Sequence, residues 1–152
     1  SSDVCSSDLI GSGILSTARK RGLLKPEHND PLLKTMGSLN KLGESIGSMN
    51  GVHALTDVTG FGLLGHLWEI ANGSRLSAEL YYDRLNLLPG VSAYIQQRIF
   101  PDSTTRNWSR YQGDIQFEKG VPVAEAFTLL PDPQTNGGLL IAVGEEIGRA
   151  HV

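Results

Sequence analysis

The chain has 152 residues, 39% of them hydrophobic, which suits one domain with a buried core and excludes compositional disorder. Thirteen Lys and Arg against 16 Asp and Glu give a net charge of −3, so there is no electrostatic footprint for nucleic acid or an anionic membrane. The longest clean apolar run, Leu139 to Val143, is far too short to span a bilayer.

The two ends of the chain stand apart from its body. A DNA strand that encodes Asp3 to Asp8 also encodes Ile147 to Val152 when read as its reverse complement, and that DNA resembles a short-read sequencing adapter. Unrelated protein ends have no physical reason to be related in this way. Residues 1–9 and 147–152 are therefore expected to be adapter-derived and are set aside from fold reasoning. Cys5, the single cysteine, goes with them, as does His151. A body without cysteine fits a reducing compartment, and a cytoplasmic location is expected.

In chain order, residues 10–17 ("IGSGILST") read as a short strand or an extended connector. A basic turn region follows, with Pro26 limiting any helix before it. Asn29 or Asp30 can cap a helix with Pro31 in its first turn. Leu32, Leu33, Met36, Leu39 and Leu42 recur at helical spacing, and Ile46 and Met49 carry the pattern to a stop at Asn50-Gly51. Val52 to Val58 predicts a strand. Leu63, Leu64, Leu67, Ile70 and Ala71 form a helical apolar stripe ended by Asn72-Gly73, with His66 and Glu69 expected on its solvated side. Arg75 to Leu85 alternates like a half-buried strand. Val91 to Ile99 predicts a helix, Pro101 to Gly113 a polar loop, and Val121 to Leu129 a short helix. Pro131 to Gly138 is a turn cluster leading into a buried strand at Leu139 to Val143. This alternation predicts an α+β fold, a mixed β-sheet covered by helices.

Two motifs carry possible chemistry. Gly60, Gly62 and Gly65 match G-x-G-x-x-G after a predicted strand, with Glu79 and Asp83 about 20 residues on, where a dinucleotide-binding fold places its ribose-binding acid. Against a bare pyrophosphate stands Asp57, directly before the glycines, because a carboxylate there repels phosphate. A divalent cation between the two resolves the conflict, since Mg²⁺ takes one or two carboxylates together with phosphate oxygens. Dinucleotide binding, nucleotide–metal binding and a purely structural turn all remain open at this level. The second motif, Asp132 to Gly138 ("DPQTNGG"), is explained by turn chemistry alone. His28, His53 and His66 show no metal-ligand spacing, and Arg106 lies in what reads as a surface loop.

"LTDVTGFGLLGHL" (Leu55 to Leu67) and "DPQTNGGLL" (Asp132 to Leu140) together resemble the selenophosphate synthetase (selenide, water dikinase) family, and the likeness runs from about Ile10 through "GILSTARKRGLLKP". The resemblance implies an aminoimidazole ribonucleotide synthetase-like C-terminal domain at 26–146, incomplete at its end, with a connector at 10–25. It implies a reaction of ATP, selenide and water giving selenophosphate, AMP and phosphate, with Mg²⁺ as cofactor. By position, Asp57 matches the family's Mg²⁺-binding aspartate. No catalytic residue is carried over, because the family's reactive Cys or selenocysteine, its Lys, its other metal-binding aspartates and its glycine-rich ATP segment belong to an N-terminal domain. That domain also forms the homodimer, so the fragment alone is expected to be inactive. Asn136 stands where the family usually has Ser, and "IFPDSTTRNW" lacks the glycine pair of the family's "GGTERN".

Overall fold

The computed structural model describes residues 2–6, backbone only, and 9–144. The elements in chain order are β1 (Ser2–Ser6), α1 (Ser12–Lys20), α2 (Pro26–Gly37), α3 (Leu42–Gly47), β2 (Val52–Asp57), α4 (Gly62–Ser74), α5 (Val91–Gln96), α6 (Asp102–Tyr111), α7 (Val123–Leu129) and β3 (Leu139–Gly144). The α+β class expected from the sequence holds. The three strands form one sheet in the order β1-β3-β2 with both pairings antiparallel. Parallel pairing is confined, among the described residues, to an isolated bridge between Ile10 and Leu87. Leu139 opposes Asp57, and the register shifts between Val52 and Ala54.

The segment 2–6, set aside on sequence grounds, lies as a strand along β3. Ladder pairing uses backbone groups and is indifferent to side-chain identity. The stretch 147–152 lies outside the described residues.

The helices bury their apolar stripes in one core. Ile14, Leu15 and Ala18 of α1 meet Leu63 of α4, Val91 of α5 and Leu129 of α7, with Val58 at the end of β2. Leu139 and Leu140 enter the interior at the start of β3. No helix among the described residues is long and apolar enough to cross a membrane.

Several expectations are corrected. Residues 12–20 form a helix, not a strand or connector, for a tertiary reason given below. The next helix starts at Pro26, which occupies its first turn, and Pro31 lies inside it. A proline at the first position sacrifices no hydrogen bond, so Pro26 starts the helix as Pro31 was expected to. The expected long stripe breaks at Gly37-Ser38, where Ser38 is extended. Leu32 is buried, whereas Leu39 and Leu42 are 74% and 70% exposed. The alternating segment 75–85 pairs with no strand among the described residues. It runs as an exposed connection with a single 3₁₀ turn at Tyr82–Arg84, after Arg75 closes α4 in the left-handed conformation. Residues 102–111 are helical, not a loop. That helix buries Thr104, Asn107 and Tyr111. Most of its residues are polar, which is why the stretch read as a loop.

Candidate functional site

The two sequence motifs are folded against each other. Beyond Asp57 the ladder continues as single bonds: Val58 donates to the Gly138 carbonyl and Gly137 donates to Val58, both at 2.9 Å. Gln134 N–H donates to Thr59 at 3.0 Å, and Leu64 N–H donates to Leu130 at 2.9 Å. Gly62 sits where these backbones meet, at φ +71°. A Cβ there would stand 2.7 Å from the Leu130 oxygen and 2.8 Å from the Asp132 oxygen. Only glycine fits, both for its dihedral and for the space.

Side chains complete the closure. Asn107 Nδ2 donates to the carbonyls of Gly60 (2.8 Å) and Pro131 (3.0 Å), one from each motif. His66 is buried, not solvated as its place opposite the stripe suggested, and its Nε2 accepts from Thr59 N–H at 3.1 Å. Its Nδ1 stands 3.4 Å from Glu69 Oε2.

This geometry decides against the dinucleotide reading. In such a fold the first N–H groups of the helix face a pyrophosphate. Here Leu64 N–H is taken by Leu130, and Gly62 packs on backbone instead of opening room for phosphate. Gly65 gives close approach to Phe61 and Tyr111, since a Cβ would lie 2.5 Å from Phe61 Cβ. Glu79 and Asp83 are exposed in the irregular segment instead of at a strand end.

Asp57 ends β2 with its side chain exposed. Its Oδ1 accepts from Asn40 Nδ2 at 3.2 Å, and the same amide lies 3.4 Å from the Gly138 carbonyl. The amide takes one lone pair of the carboxylate and leaves others for a cation. No group of three or more His, Cys, Asp or Glu side chains among the described residues could hold a metal. The donor set therefore fits one ligand of a shared Mg²⁺ site, in which phosphate oxygens, water and other groups fill the shell. A closed protein cage does not fit. Cys5 is described by its backbone alone, and Arg106 is exposed on α6.

The second motif does more than turn the chain. Gln134 Oε1 accepts from Gly11 N–H (3.0 Å), Ser12 N–H (3.1 Å) and Ser12 Oγ (3.0 Å). Asp132 Oδ2 accepts from Gly13 N–H (3.0 Å), Ile14 N–H (3.3 Å) and Gln134 Nε2 (2.9 Å). These are the unpaired donors of α1's first turn, capped by residues about 120 positions away in sequence. The helix places no capping side chain of its own at that end, which is why 10–17 did not read as helical. Gly13 permits the contact, since a Cβ there would collide with the Pro133 oxygen. Asp132 is fully buried, and burial pushes its carboxyl up to about 8, against the lowering effect of the Ile14, Gln134 and Gly13 donors. Asn136 takes the left-handed conformation at φ +60°, which asparagine tolerates better than most residues.

A sheet edge bearing one carboxylate, backed by two interlocked glycine loops within an α+β domain, describes a family. The chain matches "AIR synthase related protein, C-terminal domain" over residues 4–146 and belongs to that family. Its relatives include proteins named selenide, water dikinase. That of Cronobacter sakazakii is 47% identical over 88% of this chain and 38% of its own length, and that of Haemophilus influenzae gives the same figures. The Burkholderia orbicola protein of that name is 44% identical over 90% of this chain and 38% of its own length. The chain thus spans somewhat over a third of these relatives. The resemblance drawn from the two motifs agrees with their names.

Proposed function

We propose that the chain acts as the C-terminal portion of a selenide, water dikinase, an enzyme that makes selenophosphate, AMP and phosphate from ATP, selenide and water. The observation that carries the reading is Asp57, an exposed carboxylate at the end of β2 beside a rigid glycine loop. The names of relatives at 44–47% identity support the substrate class. In this reading Asp57 would supply one oxygen ligand to a Mg²⁺ ion that accompanies ATP. When bound, the ion would supply neutralisation of phosphate charge for phosphoryl transfer. The paired motifs hold the Asp57 loop still, so little reorganisation is needed when nucleotide arrives. The nucleophile, the remaining metal ligands and the dimer contact belong to the part of the protein that this chain does not span, and the whole acts in the cytoplasm. The 152-residue chain by itself is inactive.

The test is a chimera that joins this chain to the portion of the Haemophilus influenzae relative it does not span. AMP should be released from ATP only when selenide is present, and Asp57→Asn should abolish release. Normal turnover in Asp57→Asn would refute the ligand role. ATP cleavage indifferent to selenide would refute the dikinase reading.

A further inference from the structure

Asn107 lies on α6, in a stretch whose sequence promised only a polar loop. Its side chain is nevertheless buried, and its amide nitrogen faces two carbonyl oxygens, Gly60 at 2.8 Å and Pro131 at 3.0 Å. Only the NH₂ end of a carboxamide can serve two acceptors at once, so the geometry uses both of its hydrogens. The acceptors come from different motifs. Gly60 is the tip of the loop that leaves Asp57, and Pro131 opens the loop behind it. Little else restrains that tip: Gly60 lies outside regular structure, and a Cβ built on it would touch nothing within 4 Å. Thr59, its neighbour, is held by His66 and by Gln134 N–H, and Gly62 by its packing. Asn107 is the side chain that reaches the Gly60 carbonyl itself.

We propose that Asn107 is a positioning residue of the candidate site: its amide ties the Gly60 carbonyl to the Pro131 carbonyl and sets the distance between the glycine tip beside Asp57 and the second motif. The purpose assigned to this tie rests on the metal-binding reading of Asp57, whereas the tie itself does not. Among the described residues no other donor bonds to either carbonyl. Asn107→Asp keeps the shape and turns two attractive contacts into carboxylate–carbonyl repulsion. Asn107→Ala removes both contacts.

The experiment uses the 152-residue chain, labelled for NMR, with Mn²⁺ as the probe for a divalent cation. In the unsubstituted chain, couplings across hydrogen bonds should link the Asn107 side-chain nitrogen to the Gly60 and Pro131 carbonyl carbons. Their absence overturns the proposal, whatever the variants do. In Asn107→Ala and Asn107→Asp, exchange at the Gly62 and Leu64 amides, which bond to Thr59 and Leu130 on either side of the tie, should accelerate about ten-fold or more while the β2–β3 amides keep their protection. Mn²⁺ broadening centred on Asp57 should weaken by a similar factor. Asp57→Asn should abolish the broadening without changing exchange at Gly62 and Leu64. Variants with wild-type loop exchange and wild-type Mn²⁺ broadening overturn the positioning role and leave the metal reading standing. Absence of Mn²⁺ broadening in the unsubstituted chain means that Asp57 alone does not hold the ion, and the exchange and coupling data then decide Asn107 while the chimera decides the metal reading.

Discussion

Gly62→Ala gives the sharpest contrast between a glycine loop that cradles phosphate and one that packs on protein. An L-residue at φ +71° carries a cost of roughly 1–2 kcal/mol. The added methyl would also stand 2.7 Å from the Leu130 oxygen and Pro131 carbon, and 2.8 Å from the Asp132 oxygen. Those atoms are backbone, pinned by the bond from Leu64 N–H and by Asn107, so they cannot rotate away. Overpacking of this kind costs about 1–3 kcal/mol. The lower entropy of the unfolded alanine chain returns about 0.4–1 kcal/mol. The expected net loss is about 2–4 kcal/mol, summed from these terms. Gly60→Ala is the control, because its Cβ would meet nothing within 4 Å and its backbone is not left-handed. It should stay within about 1 kcal/mol of the parent. Urea unfolding followed by circular dichroism, extrapolated linearly to water, measures both. A Gly62→Ala variant within about 1 kcal/mol of the parent would refute the packing argument, as would equal losses at the two glycines.

Three further outcomes follow from the same contacts. Asp132 holds its proton in the fold up to about pH 8, while the unfolded carboxyl releases it near 3.8. Its contribution to stability is therefore fully present below the lower value, declines as pH rises, and is lost above the upper one. Asp132→Asn should flatten this decline in urea titrations at acidic and mildly alkaline pH, and identical slopes would show that another group is responsible. Gln134→Ala strips the acceptor from Gly11 N–H, Ser12 N–H and Ser12 Oγ. Leaving buried donors unpaired should cost about 2–4 kcal/mol and speed exchange in the first turn of α1; unchanged exchange there would contradict the capping role. Asp57→Asn, exposed with one amide partner, should alter stability by no more than about 0.5 kcal/mol, so a large loss would mark the residue as structural.

Some of this protein was legible in its sequence. Val52 to Val58, the stripe from Leu63 to Ala71 and the run at Leu139 are local apolar segments bounded by turn residues, and they fall on β2, α4 and β3. The two motifs, taken as text, pointed to the family later matched over residues 4–146. Asp57 drew attention because a charge before a glycine loop is chemically conspicuous. Its charge pairs it with a cation, but charge does not distinguish a phosphate cradle from a turn.

The tertiary structure made that choice, because the partners that decide it are distant in sequence. Helix α1 begins where Asp132 and Gln134 supply acceptors about 120 residues away, and nothing in residues 10–17 announces them. Helix α6 faces inward with Asn107, whose amide is matched by the carbonyls of two distant loops, a partnership that hydropathy does not encode. The alternation at 75–85 met no strand among the described residues, and a period of two has no meaning without a neighbour to pair with. Composition and periodicity are sums over local preferences. Caps, close glycine contacts and buried polar ties are pairwise and long-range, and they exist only once the chain has closed on itself.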